Sequence, residues 1–285
     1  MNDGITALMP LLAPIVERLA EIDGIAAIAL GGSHACGTAD EHSDIDLALY
    51  YDPARPFAIE DLNRAAANLD DRHLDCLVTN FGEWGPGVNG GGWLIVRGRH
   101  VDLLYRDLSR VREALVECRE GRPSSIYQLG HPLGFPNQIY AAEVDCCRPL
   151  HDPANLLAEL KRLTTPYPEP LRLALIKKHL FDARFEVGVA DKPAARGDTL
   201  MVAACAARTV GFLTLVLYAL NRRYFINEKG AMRALTTMPL TPPNFSAQAS
   251  EVLGALGDHP DALARSLARL IKLIDAVAEL AASAA

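Results

Sequence analysis

Residues 25–51, IAAIALGGSHACGTADEHSDIDLALYY, decide how the chain is read. The apolar run Ile25–Leu30 reads as a strand that runs straight into Gly31-Gly32-Ser33. A second run, Ile45–Tyr51, begins inside Asp44-Ile45-Asp46. Side chains alternate along a strand, so Asp44 and Asp46 fall on one face, roughly 7 Å apart. Carboxylates at that spacing repel unless a cation sits between them, and hard oxygen ligands suit Mg²⁺ together with phosphate oxygens. The GGS segment falls at a strand-to-helix turn, where backbone N–H groups and a hydroxyl can hold a polyphosphate. A metal pair beside a phosphate cradle implies in-line attack on a nucleotide phosphate, and such a site needs a third carboxylate on a neighbouring strand. RHVDLLYRD supplies Asp102, set between Val101 and Leu103. Asp75 in HLDCLVT is the weaker competitor, because its segment leads directly into a glycine-rich loop.

Working outward, the first half alternates strand and helix patterns. Pro10–Ile22 has helical spacing, as do residues 57–72, with Leu62, Ala65, Ala66 and Leu69 on one side, and Asp107–Arg119. Leu74–Thr79 is strand-like and precedes NFGEWGPGVNGGGW. Trp93–Arg97 and His100–Tyr105 alternate around Gly98-Arg99, a hairpin pattern. Tyr140–Leu150 reads as a closing strand. After Pro153 the chain turns to long Ala- and Leu-rich helix patterns broken by prolines. The expected fold class is therefore α+β: a mixed sheet with flanking helices over residues 1–153, then an α-helical bundle over 154–285.

Half of the 285 residues are apolar, enough for a sizeable core in either half. Met201–Leu220 is apolar enough to suggest a membrane span, but Arg208 in its middle and its many alanines favour a buried helix. The N-terminal stretch lacks a basic leader and is interrupted by Glu17 and Arg18, so it reads as an amphipathic helix. The six cysteines form no CxxC pair and are expected as reduced thiols in a cytoplasmic protein. Cys146-Cys147 with His151 lacks both the fourth ligand and the spacing of a zinc site. A net charge of −7 argues against broad nonspecific nucleic-acid binding, though not against a local basic cleft.

With GGS, then GTADEHSDIDLALY, then a later apolar-Asp-apolar strand, residues 25–105 resemble the nucleotidyltransferase fold shared by DNA polymerase beta and the aminoglycoside nucleotidyltransferases. The helical half, with ALNRRYFINEKGAMRAL, more loosely resembles the helical domain of the bacterial antibiotic-modifying branch. The resemblance implies that Gly32 and Ser33 hold the triphosphate and that Asp44 and Asp46 bind the metals. It makes Asp102 the third carboxylate, as metal ligand or base, and gives Lys229 a contact with the nucleotide phosphates. It implies two Mg²⁺ ions, an NTP (ATP by preference) and a small-molecule hydroxyl acceptor of the aminoglycoside type, with no membrane partner and no assigned oligomeric state. The EWGPGVNGGGW insert and the long 121–150 connection depart from the family pattern, which leaves the acceptor open.

Other readings compete. Glu83, in the glycine-rich loop, is an alternative base for the acceptor hydroxyl. Trp84 and Trp93 read as anchors of the hairpin, with stacking on a base or sugar as the other option. Arg172 and His179 have the Arg-x6-His spacing of HEPN ribonucleases, but a surface pair on a bundle helix has the same spacing. A toxin-like enzyme acting on a tRNA end or a protein hydroxyl would keep the chemistry and change the acceptor. A non-catalytic nucleotide-binding or antitoxin module would have no physical need for the clustered carboxylates.

Overall fold

The computed structural model describes residues 3–284. The chain forms two compact units. The first comprises residues 1–117, 125–130 and 135–166; the second comprises 118–124, 131–134 and 167–285. The break after Pro166 lies beyond the expected boundary at 153, because helix Leu156–Thr164 packs on the helix that precedes it and belongs with the sheet.

The first unit is built from α1 (Asp3–Ala20), β1 (Ile25–Leu30), α2 (Gly32–Cys36), β2 (Ile45–Tyr51), α3 (Ile59–Leu69), β3 (Gly91–Val96) and β4 (Arg99–Asp107). It continues with α4 (Leu108–Arg119), the short strands β5 (Ser125–Ile126) and β6 (Phe135–Pro136), α5 (Gln138–Cys146), β7 (Arg148–His151) and α6 (Leu156–Thr164). The main sheet has the order β3-β4-β2-β1-β7. β2 and β4 run parallel and the other neighbours antiparallel, which makes the sheet mixed. One face carries Ile45, Leu47, Leu49, Leu94, Val101, Leu103 and Tyr105 and closes, with Leu12, Ile15 and Leu19 of α1 and Leu62 and Ala66 of α3, over the core of this unit.

Three local expectations change. Helix α1 starts at Asp3 and carries Pro10 and Pro14 within it rather than beginning after Pro10. Pro14 has no N–H for the Pro10 carbonyl, and Arg97 Nη1 donates to that oxygen instead, at 3.1 Å. Residues 74–79 are not a strand: Cys76 has φ +59°, outside extended geometry, and only the single bridge Val78–Gly92 forms. Residues 140–150 are mostly helix; the buried run Ile139, Tyr140, Ala141, Ala142 and Val144 belongs to α5, and only β7 is extended.

The cysteine reading is also corrected. Cys36, at the end of α2, and Cys146, at the end of α5, are joined in a disulfide with their Cα atoms 5.2 Å apart. The pairing spans 110 residues of sequence and follows from the packing of α2 on α5. Cys76, Cys118, Cys147 and Cys205 are free thiols.

The second unit contains α7 (Glu169–Ala195), α8 (Thr199–Leu220), α9 (Ala231–Ala234), α10 (Phe245–Gly254) and α11 (Pro260–Ser283). α7, α8 and α11 pack on one another around Val202, Leu213, Leu217, Leu263, Leu270 and Val277. Among the described residues α8 is the one helix long and apolar enough to cross a membrane, and 67% of its most apolar window is buried inside the protein. Arg208 is placed toward the rim, where Nε meets Glu186 at 2.6 Å. α8 is thus the buried helix that its composition suggested.

Candidate active site

The two ends of the diagnostic stretch are tied to each other. The Gly31 N–H donates to the Asp46 carbonyl at 2.8 Å, which fixes the glycine turn against the start of β2. Gly32 opens α2 with φ +55°, and a methyl group there would overlap Oδ2 of Asp46. Both facts require glycine: the backbone is left-handed, and the space belongs to the carboxylate. Ser33 follows in the first turn of α2.

Register places the next carboxylate. Asp46 of β2 lies opposite Asp102 of β4, and Asp102 lies opposite Trp93 of β3. Directly opposed residues share a face with Cβ atoms about 4.5–5.5 Å apart, so Asp46, Asp102 and Trp93 form a row across the sheet. The row faces away from the core, since the alternate residues Ile45, Val101 and Leu94 are buried. Asp46 and Asp102 are half-buried, while Asp44 lies just before β2 and is exposed. The structure thus brings Gly32, Ser33, Asp46 and Asp102 into one neighbourhood, with Asp44 at its rim. Among the described residues no group of three or more His, Cys, Asp or Glu side chains is gathered as a metal cluster. Asp75, the competing third carboxylate, is exposed on the irregular 74–79 segment outside the paired strands.

The row extends sideways into an aromatic pair. Trp84 and Trp93 stack with ring centroids 4.5 Å apart and planes inclined by 26°. Gly91 points to the same face as Trp93, and a methyl group on it would strike the Trp84 ring and the Leu103 carbonyl. The loop that delivers Trp84 is firmly held. The Trp84 N–H donates to the Asn89 carbonyl at 3.0 Å and the Gly82 N–H to Asn89 Oδ1 at 2.8 Å. Gln128 Oε1 accepts from the Gly87 N–H at 2.9 Å, while its Nε2 donates to the Trp84 carbonyl. Trp93 is 60% exposed, and its stack with Trp84 ties the glycine-rich loop to the β3–β4 hairpin. Glu83 is exposed and accepts from Asn80 Nδ2 at 2.6 Å.

Two charged groups missed at the sequence level hold these strands in place. Arg106, on the same face as Asp102 but further along β4, is buried. Its guanidinium makes a two-pronged contact with Glu143 of α5, with both N–O distances 2.7 Å, and donates to the Val88 carbonyl at 3.2 Å. Burial opposes its charge, but the Glu143 carboxylate more than offsets this and holds the pKa above the ordinary arginine value. Alternation in DLLYRD was the available signal, since it puts Arg106 in line with Asp102. Asp70 is buried beside the edge strand β3 and accepts from Arg72 Nε at 2.8 Å, Arg72 Nη2 at 2.7 Å and the Ile95 N–H at 3.2 Å. Chiefly through the Arg72 hydrogen bond, its pKa falls to about 2. Arg72 also donates to the Trp93 carbonyl at 3.1 Å, so this pair holds the aromatic strand in place.

In the second unit Lys229 is exposed, and its N–H donates to Asn227 Oδ1 at 2.9 Å. Arg172 and His179 are buried rather than displayed for chemistry. Arg172 Nη2 donates to the Ala284 carbonyl at 2.6 Å, and His179 stacks on Phe212 and contacts Asp182 at 3.0 Å. They are packing residues of the bundle.

Residues 12–83, within the sheet unit, match the family model described as a nucleotidyltransferase domain. Residues 138–229 match a second family model, described as a domain of unknown function (DUF4037). No curated protein matches the chain significantly. Among solved structures, the chain is similar to a nucleotidyltransferase-like protein from Exiguobacterium sibiricum, at 11% identity and a TM-score of 0.46, over 92% of this chain and 73% of that one.

Proposed function

We propose that the protein transfers a nucleoside monophosphate from an NTP, ATP by preference, to a hydroxyl of a small-molecule acceptor, with release of pyrophosphate. The observation that carries this reading is the register Asp46–Asp102 beside a glycine turn whose Gly32 has no room for a side chain. Mg²⁺ is commonly held by one or two carboxylates plus substrate phosphates rather than by an all-protein cage. Paired strand carboxylates therefore fit it without a preassembled cluster. In this reading Asp44, Asp46 and Asp102 would hold the metal, as one ion or two. Bound Mg²⁺ would neutralise phosphate charge and lower the pKa of an attacking hydroxyl.

The chain's own residues do the rest. Gly32 and Ser33 receive the phosphates at the start of α2. The acceptor oxygen bonds to the α-phosphorus, the bond to the β-phosphate oxygen breaks, and pyrophosphate leaves with that electron pair. The hydroxyl proton passes to a carboxylate, Asp102 in this reading, with Glu83 as the alternative. A phosphate-binding role for Lys229 rests on the sequence resemblance alone. An antibiotic acceptor and a cytoplasmic location belong to the same proposal, and thiol labelling of Cys36 and Cys146 in cells tests the second.

The deciding experiment measures pyrophosphate release from each NTP, with and without Mg²⁺, against pooled hydroxyl acceptors. Release that needs Mg²⁺ and acceptor, and disappears in Asp46→Asn, is the expected result. Release unchanged in that variant would move the site away from β2.

A further inference from the structure

We propose that Trp84 and Trp93 form the acceptor subsite, a platform for a saturated, hydroxyl-bearing ring such as a pyranose or cyclitol. The inference rests on the nucleotidyl-transfer reading above and names what the same site accepts.

Position argues first. Across the sheet the order is glycine turn, Asp46, Asp102, Trp93, with Trp84 stacked on the last. In-line displacement puts the attacking hydroxyl opposite the departing pyrophosphate. With the phosphates at Gly32 and Ser33, the attacking side is that of β4 and β3, where the indoles stand. The platform therefore belongs to the acceptor and not to the base of the nucleotide.

Burial argues second. An indole 60% exposed on a sheet face, with another stacked on it, spends a large apolar surface on solvent. The fold nevertheless holds it there. Gly91 clears the space for Trp84, Gln128 and Asn89 fasten the loop, and Arg72 with Asp70 fastens the Trp93 backbone. A surface prepared in this way presents a face at little further ordering cost to a ligand.

Chemistry argues third. The neighbouring carboxylate of Asp102 only accepts hydrogen bonds, so the occupant must bring donors on its rim together with an apolar face for the indole. A polyhydroxylated saturated ring has both in one body: axial C–H groups over the indole and O–H groups at the edge. One of those hydroxyls is the nucleophile. An RNA end would also stack, but it would bring backbone phosphates beside carboxylates on a chain of net charge −7.

The protein contains two tryptophans, Trp84 and Trp93, so its tryptophan emission reports on the platform and nothing else. The full chain, with Mg²⁺ and a non-hydrolysable ATP analogue, is titrated with methyl α-glucopyranoside, myo-inositol, kanamycin A and a short RNA ending in CCA. We expect at least one of the three ring compounds to shift the emission. Trp93→Ala should weaken that ring's binding roughly tenfold, the scale of one lost stacking contact, and Trp93→Phe should restore most of it. Calorimetry should show the analogue's affinity unchanged in both variants. No response to any of the ring compounds, or a response to the RNA alone, overturns the proposal. So does a loss of analogue affinity in Trp93→Ala, which would put the base on the platform. A wild-type protein that fails to bind the analogue with Mg²⁺ instead overturns the nucleotidyl-transfer reading, a result separate from any of these.

Discussion

The core-averted face of the sheet is finished differently at its two ends. At one end α5 covers it, and the charge that lands there, Arg106, is buried against Glu143 and backbone carbonyls. At the other end Asp46 and Asp102 stand half-buried beside an exposed tryptophan and a glycine turn. The same strands thus supply a sealed polar contact and an open one, with only three residue pairs between them along β4. The difference shows where each kind of side chain acts. A charge matched inside the chain contributes to folding, whereas a carboxylate kept accessible contributes to whatever binds.

Mutation should separate the two ends. Arg106→Met is expected to have the largest effect, a loss of about 3–5 kcal/mol in unfolding free energy, because it leaves Glu143 facing the interior without its partner. Denaturant titration reads this, and the double variant Arg106→Met/Glu143→Met should recover much of the loss. Asp46→Asn is expected to do the opposite. Turnover should fall on the order of a hundredfold or more, as for loss of a transition-state charge contact, while the folding transition stays nearly in place. An Asp46→Asn variant that unfolds easily but turns over normally would erase the distinction.

Lys229→Ala tests whether the open end works alone. A loss of roughly 1–3 kcal/mol in nucleotide affinity by calorimetry is expected of a charge-assisted contact, and unchanged affinity would confine binding to the sheet unit. The smallest effect should come from Asp70→Asn, about 1 kcal/mol in stability, because the amide keeps an acceptor oxygen and loses the charge. The sign with pH follows from its lowered pKa. Asp70 stabilises the fold fully above its unfolded value near 4, and this contribution disappears as pH falls toward about 2. Acid titration of wild type and variant should therefore converge at the low end and diverge above pH 4.

The sequence revealed most where structure is local. Alternation in IALGG and DIDLALY, with glycines at the junction, places β1, α2 and β2, and the hairpin around Gly98 follows from the same rule. Asp102 was legible as a carboxylate in an apolar strand, though its register with Asp46 needed the fold. Long-range contacts were not legible. Gln128 fastens a loop some forty residues earlier, and the Cys36–Cys146 bridge depends on two helices meeting. α5 was misread because a run of consecutive apolar residues fits a buried helix as well as a strand. The 74–79 segment failed for another reason: its composition is strand-like, but positive φ at His73 and Cys76 turns the backbone away.

That irregular segment matters for how the protein behaves in a crowded solution. β3 lies at one margin of the sheet, and its outward backbone groups are already engaged. The Asp71 N–H donates to the Ile95 carbonyl at 2.7 Å, the Thr79 N–H to the Gly91 carbonyl at 2.8 Å, and Arg72 and Asp70 take the groups between. The opposite margin, β7, is only 4 residues long and carries Arg148 and Pro149, both exposed. Neither margin offers a free ladder to a second chain. The molecule can leave a broad indole surface in water without inviting strand-by-strand polymerisation, because the part of the sheet most able to template it is capped by the chain itself.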